Sequence, residues 1–168
     1  MSDLRYLHGY PESVLASVRA LLDRGEATRY IERRYPEPHE VRSDGALYDY
    51  VQTLKARHLR TAPPLSKVGF DERLQQVHQA LGTHTAVSRV QGRQLKAKRE
   101  IRIARLFVEA PAAFLRMIVV HELAHVRERE HDKAFYALCC HMEPDYHQLE
   151  FDTRLWLSAR ELERASAR

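Results

Sequence analysis

Two histidines four residues apart, His121 and His125, flank a glutamate in the stretch IVVHELAHVREREHDKAFYALC. Four residues along a helix turn about 400°, so both imidazoles stand on one face, a turn apart, and can share one ion. Glu122, beside the first histidine, is then placed to take a proton from water instead of binding the metal itself. Zinc makes water acidic enough for hydroxide to form near neutral pH, and this division of labour is the physical content of H-E-x-x-H. The apolar lead-in Ile118-Val119-Val120 and the intervening Leu123-Ala124 predict a buried helix. Burying two histidines and a glutamate without partners is costly, and a bound ion removes that cost. A catalytic metal site follows from this reading. A structural zinc is disfavoured, because three protein ligands leave one coordination position open.

The third ligand is less directly readable. His131 lies ten residues after His121, as in H-E-x-x-H-x-x-G-x-x-H, although Glu128 stands where that pattern has glycine. A helix running straight on would carry His131 about 120° round from His125 and roughly 9 Å further along. The helix must therefore end within Val126–Glu130 for His131 to return, and Asp132 as the cap of a new helix agrees with such a break. His131 is favoured on these grounds, with His141, His147, Glu143 and Glu150 as alternatives. The other histidines (His8, His39, His58, His78 and His84) carry no ligand spacing. Cys139 and Cys140 are adjacent, which makes neither a redox pair nor a zinc knuckle, so both are read as reduced packing residues.

The elements that must position this site are legible in outline. ESVLASVRALLDR carries apolar residues at helical spacing and meets a stop at Gly25, and a short helix follows through Tyr35. Ser43-Asp44 caps a helix over GALYDYVQTLKARHLR, with Leu47, Tyr50, Val51 and Leu54 on one face. Pro63-Pro64 forces an extended segment and marks the best boundary. FDERLQQVHQALG reads as a helix closed by Gly82, and TAVSRVQG and REIRIARLF as strands. Pro111 suits the first turn of the zinc helix, Asp132 caps KAFYALCCHM, and a last helix spans Leu149 to Glu163. The expected architecture is α+β and helix-rich: a helical region over residues 1–62 packed on a metal-binding domain with a small sheet over residues 63–168.

The 168 residues carry 27 Lys and Arg against 23 Asp and Glu, a net charge of +4, but the excess is local. Between Arg89 and Arg105 seven basic residues face a single acid, Glu100. Within this run Arg93, Lys96, Lys98 and Arg99 are candidates for holding an anionic substrate. No apolar run approaches the ~18–20 residues of a membrane helix, and MSDLRYLHGYP lacks a signal-peptide pattern, so no membrane association and a cytoplasmic location are expected.

The stretches TAVSRVQGRQLKAKREIRIA and APAAFLRMIVVHELAHVREREHDKAFYALCCHMEPDYHQLEFDTRLWL closely resemble the YgjP-like metal-dependent hydrolases. The likeness extends through YLHGYP, ALYDYVQTLK and LRTAPPLSKVGFD, nearly the whole chain. It implies a zincin-like metallopeptidase domain, zinc on His121, His125 and His131, and Glu122 as general base. More distant relatives carry W-G-S-C before the zinc helix, where this chain has SRVQGRQLKAKRE. The family is labelled metallopeptidase from its motif, and the branch nearest this sequence is associated with hydrolysis of UTP to UMP and pyrophosphate. Three readings result. Peptide hydrolysis comes first on site chemistry. Nucleoside triphosphate pyrophosphohydrolysis is the alternative: the basic segment favours it, but no P-loop and no carboxylate cluster for Mg²⁺ accompanies that segment. A DNA-associated protease resembling the SprT-like zincins is a minority reading, since the basic run lacks interleaved aromatics.

Overall fold

The computed structural model describes residues 4–74 and 99–168. After a short 3₁₀ turn at Arg5–Leu7 come three helices, α1 (Glu12–Asp23), α2 (Ala27–Arg34) and α3 (Asp44–His58). Strands β1 (Lys67–Asp71) and β2 (Glu100–Ala104) follow, then a 3₁₀ segment Arg105–Glu109, α4 (Ala112–Ala124), α5 (Lys133–Met142) and α6 (Tyr146–Ser166). The fold is α+β and helix-rich, with a small sheet.

Local signals set most boundaries. Arg24 closes α1 and Gly25 takes the left-handed conformation at φ 68°, which costs glycine nothing. The Ser43 side chain accepts the Ala46 N–H at 3.1 Å, satisfying one orphan donor of α3, whose Leu47, Val51 and Leu54 are buried. Asp132 does the same for α5, accepting from the Phe135 N–H at 3.0 Å. Helix α6 begins at Tyr146, one turn earlier than the sequence predicts.

The sheet differs from expectation. Phe70 and Asp71, predicted to open a helix, are strand residues: β1 pairs in parallel with β2, Val68 opposite Ile101 and Phe70 opposite Ile103. A second tie holds Phe70 extended, its N–H donating to Asp44 Oδ1 at 2.9 Å. Gly69 lets β1 approach α3 this closely, since a Cβ there would lie 3.2 Å from the Asp44 carboxyl carbon. Strand β2 is also shorter than REIRIARLF. Its partner register ends at Asp71–Ala104, and the chain turns through the 3₁₀ segment, burying Phe107. Glu72 and Arg73 form a turn where the helix was expected, and its remainder from residue 75 to Gly82, the strand expected over TAVSRVQG, and Arg93, Lys96 and Lys98 lie outside the described residues.

Helix α4 occupies the centre. Nine of its 13 residues are buried, including Phe114, Leu115, Met117, Ile118, Val119 and Val120, so it is apolar on nearly every side, as an interior helix must be. It contacts α3, β2, α5 and α6. One cluster of buried side chains runs from Leu4 and Leu22 through Leu47, Ile103 and Val119 to Ala159, crossing the Pro63-Pro64 segment. Among the described residues no helix is long and apolar enough to cross a membrane.

Candidate functional site

The last turn of α4 carries His121 and Glu122, and His125 is the residue that caps it. The helix ends at Ala124, slightly ahead of the window Val126–Glu130 that the return of His131 requires from the sequence. The exit is tight: Val126 N–H donates to the Leu123 carbonyl at 3.0 Å, and Arg127 and Glu128 donate to that of Ala124 at 3.1 and 2.8 Å. This closes the helix, and the chain doubles back to Asp132, the cap of α5. His131 is thereby brought beside the zinc-motif face.

The result is a cluster of three imidazoles. Nε2 of His125 and Nε2 of His131 are 2.8 Å apart, and the candidate ligand atoms of His121, His125 and His131 all lie within 4.8 Å of one another. Two nitrogens on a tetrahedral zinc stand about 3.4 Å apart, a separation that falls between the closest pair of this cluster and its 4.8 Å limit. The donor set, three neutral-capable imidazoles, also suits zinc. Phe135, fully buried on α5, backs the cluster: its ring centroid lies 4.4 Å from that of His125, 4.9 Å from His131 and 5.0 Å from His121. This apolar wall restricts imidazole rotation.

Two of the rings are also oriented by hydrogen bonds. His125 Nδ1 donates to the Glu128 carbonyl at 3.0 Å, which leaves its Nε2 with a lone pair. His121 Nδ1 lies 2.7 Å from the Tyr146 hydroxyl. Burial, followed by the neighbouring His125 and His131, holds His121 well below the usual imidazole pKa, so it is neutral, the form a metal requires. Glu122 keeps part of its surface open, yet desolvation pushes its carboxyl up to about 8.

The alternative third ligands are engaged elsewhere. Glu143 pairs with Arg116 at 3.0 Å, and buried Glu150 pairs with Arg154 at 3.0 Å. Exposed His141 lies against His58, and exposed His147 against Tyr136. Of the four basic candidates, Arg99 alone is among the described residues. It sits immediately before β2, with its carbonyl accepting the Ser66 N–H at 3.0 Å. Cys139 and Cys140 are free thiols, as expected, with Cys139 buried. Sequence reasoning missed Phe135 and Tyr146. Phe135 offered only a faint signal, an aromatic one turn into a capped helix that follows His131, and Tyr146 lay outside the predicted last helix.

Comparisons with known proteins place the chain in a family. No solved structure matches the chain. A curated relative, "UTP pyrophosphatase" of Escherichia coli (strain K12), is 59% identical over 158 residues, covering 94% of this chain and 95% of that protein. The family model described as YgjP-like, metallopeptidase domain, matches residues 66–155, which include the whole histidine cluster. The chain belongs to the YgjP-like family and is an enzyme of hydrolase type.

Proposed function

We propose that this protein hydrolyses UTP, and nucleoside triphosphates of that kind, to the monophosphate and pyrophosphate at a metal centre on His121, His125 and His131. The observation that carries this is the 59% identity to a protein named UTP pyrophosphatase over almost the full length of both chains. Site chemistry alone ranks peptide hydrolysis first, and that relative reverses the order.

A bound zinc ion supplies Lewis acidity, which makes water a better nucleophile and screens the charge of the phosphates. The three histidines would hold that ion through ring nitrogens. Glu122, one residue from the first ligand, takes the proton of the attacking water. Attack at the α-phosphorus then breaks its bond to the bridging oxygen, and pyrophosphate leaves. Arg93, Lys96, Lys98 and Arg99 hold the phosphates, where guanidinium and ammonium groups match anionic oxygens. The buried wall of Phe135 and α4 keeps the back of the site dry, which strengthens every charge interaction within it.

The family's metallopeptidase description favours a second reading, hydrolysis of a peptide bond by the same three histidines and Glu122. In that reading Glu122 shuttles the proton to the leaving amine, and β2 is the strand beside which an extended peptide would lie. Ile101 and Ile103 of β2 are buried in the core, so main-chain groups would carry such recognition.

The test is pyrophosphate release from UTP by zinc-loaded protein, with Glu122→Ala purified alongside. Release that falls by about 10²–10⁴ in the variant, with zinc still bound, is the expected outcome. Equal release by both proteins, or none by zinc-loaded wild type, sinks the proposal. The second result directs the search to peptides and to DNA-linked protein substrates.

A further inference from the structure

We propose that Tyr146 is a positioning residue for the metal centre: its hydroxyl, 2.7 Å from Nδ1 of His121, sets the tautomer of that imidazole and leaves Nε2 as the ligand atom. The inference rests on the metal-site reading above and not on the identity of the substrate. Its starting point is an asymmetry between two of the histidines. His125 is held by a main-chain carbonyl, which can only accept, so its Nδ1 must carry the proton. His121 instead faces a hydroxyl, which can donate or accept. The role of the ring as a ligand decides which.

With Nδ1 turned to the Tyr146 hydroxyl, Nε2 is the nitrogen left for an ion, and a neutral ring that offers Nε2 as a lone pair carries its proton on Nδ1. The Tyr146 oxygen then accepts from Nδ1–H of His121. Tyr146 is fully buried at the first position of α6, and its ring lies nearly parallel to that of His121, 20° between planes. Burial and the nearby Glu150 carboxylate oppose ionisation of the phenol, so the bridge stays neutral. Glu150 is itself pinned by Arg154 at 3.0 Å, and Arg154 reaches the Tyr6 carbonyl at 2.8 Å. The hydroxyl that orients His121 is thus backed by a buried ion pair tied to the first turn of the chain. Outer partners of this kind tune metal affinity by fixing ring orientation and the basicity of the ligand nitrogen.

Tyr146→Phe removes the hydroxyl and keeps the ring. The metal-free protein, uniformly ¹⁵N-labelled, is examined by imidazole-selective NMR, and zinc affinity is measured by competition with a chromophoric chelator. The expected results are a Nδ1–H tautomer at His121 in the wild type and its loss in Tyr146→Phe, with the His125 resonances unmoved. Zinc affinity should fall about 10–100-fold in the variant. A merely structural role for Tyr146 would move both histidines together. An Nε2–H tautomer at His121 in the wild type, or unchanged zinc affinity in the variant, overturns the proposal. If Tyr146→Phe does not fold, the wild-type spectrum decides alone, Nδ1–H supporting and Nε2–H overturning. Wild type that takes up no zinc would remove the metal centre and this proposal together. A failure to hydrolyse UTP touches neither readout.

Discussion

At the scale of single residues, the site is a competition for imidazoles and carboxylates, and the neighbours decide which are left over. Glu143 and Glu150 are consumed by Arg116 and Arg154, while His121, His125 and His131 converge with their nitrogens facing one another. Three imidazoles gathered this closely are the donor set that one zinc ion takes. His131→Ala is therefore expected to lower zinc affinity by orders of magnitude. His147→Ala, an exposed histidine sixteen positions further on, should leave affinity unchanged. Isothermal titration of both variants checks this, and equal behaviour would exclude His131 as a ligand. His131 was legible in the sequence because its distance from His121 left only one local solution, an early helix end. The packing of Phe135 against all three rings was not legible, since it depends on how α5 docks rather than on spacing.

At the scale of elements, the return of His131 depends on one helix ending and another beginning within eight residues, between Ala124 and Lys133. Asp132 anchors the second. Asp132→Ala removes the acceptor of the Phe135 N–H and should cost about 1 kcal/mol of stability. Because His131 immediately precedes the cap, zinc affinity should drop as well. Denaturant melts with and without zinc separate the two effects: an equal loss in both conditions would show that the cap does not act on the site. A second junction, between α3 and α5, brings His58 against His141, with Arg57 and Arg116 nearby. Burial first, then His141 and the two arginines, holds the His58 pKa below its ordinary value, and its Nε2 is buried without a partner among the described residues. The unfolded chain thus binds the proton more tightly. The stability associated with neutral His58 is present above about pH 6.5 and is lost as the pH falls below it. His58→Gln should melt with a shallower dependence on pH between about 7 and 5 than the wild type. Parallel slopes would contradict the assignment.

At the scale of the molecule, α4 is the axis on which the other elements pack, and the core around it is continuous from Leu4 to Ala159. Buried Asp152 on α6 accepts from the Tyr35 hydroxyl and from Gln148 at 3.1 Å, so the segment after α2 is tied to the same helix that presents Tyr146. An ion bound by His121, His125 and His131 would join α4 to the segment leading into α5. Such an ion would bind the folded chain far better than the unfolded one, and would stabilise it by mass action. At free zinc about 100 times the dissociation constant, the gain is about 2.7 kcal/mol. Chelation should lower the melting temperature and re-addition of zinc should restore it, as scanning calorimetry can record. A melting temperature insensitive to chelator, in protein shown to carry zinc, would mean that the metal contributes nothing to the fold.

The local signals were readable from sequence alone. The one-turn spacing of His121 and His125, the caps Ser43 and Asp132, the stop at Gly25 and the apolar run of α4 act within a few residues of themselves, and their energetics do not depend on distant partners. The tertiary structure decided the rest. Phe70 became a strand residue because Ile103, more than thirty positions away, and the Asp44 carboxylate both claim it. Helix α4 stopped at Ala124 because three main-chain donors closed on Leu123 and Ala124. Tyr146 met His121 because α6 packs across α4. Pairing, docking and hydrogen bonds between distant segments are chosen by the whole core, and no window of sequence contains both partners.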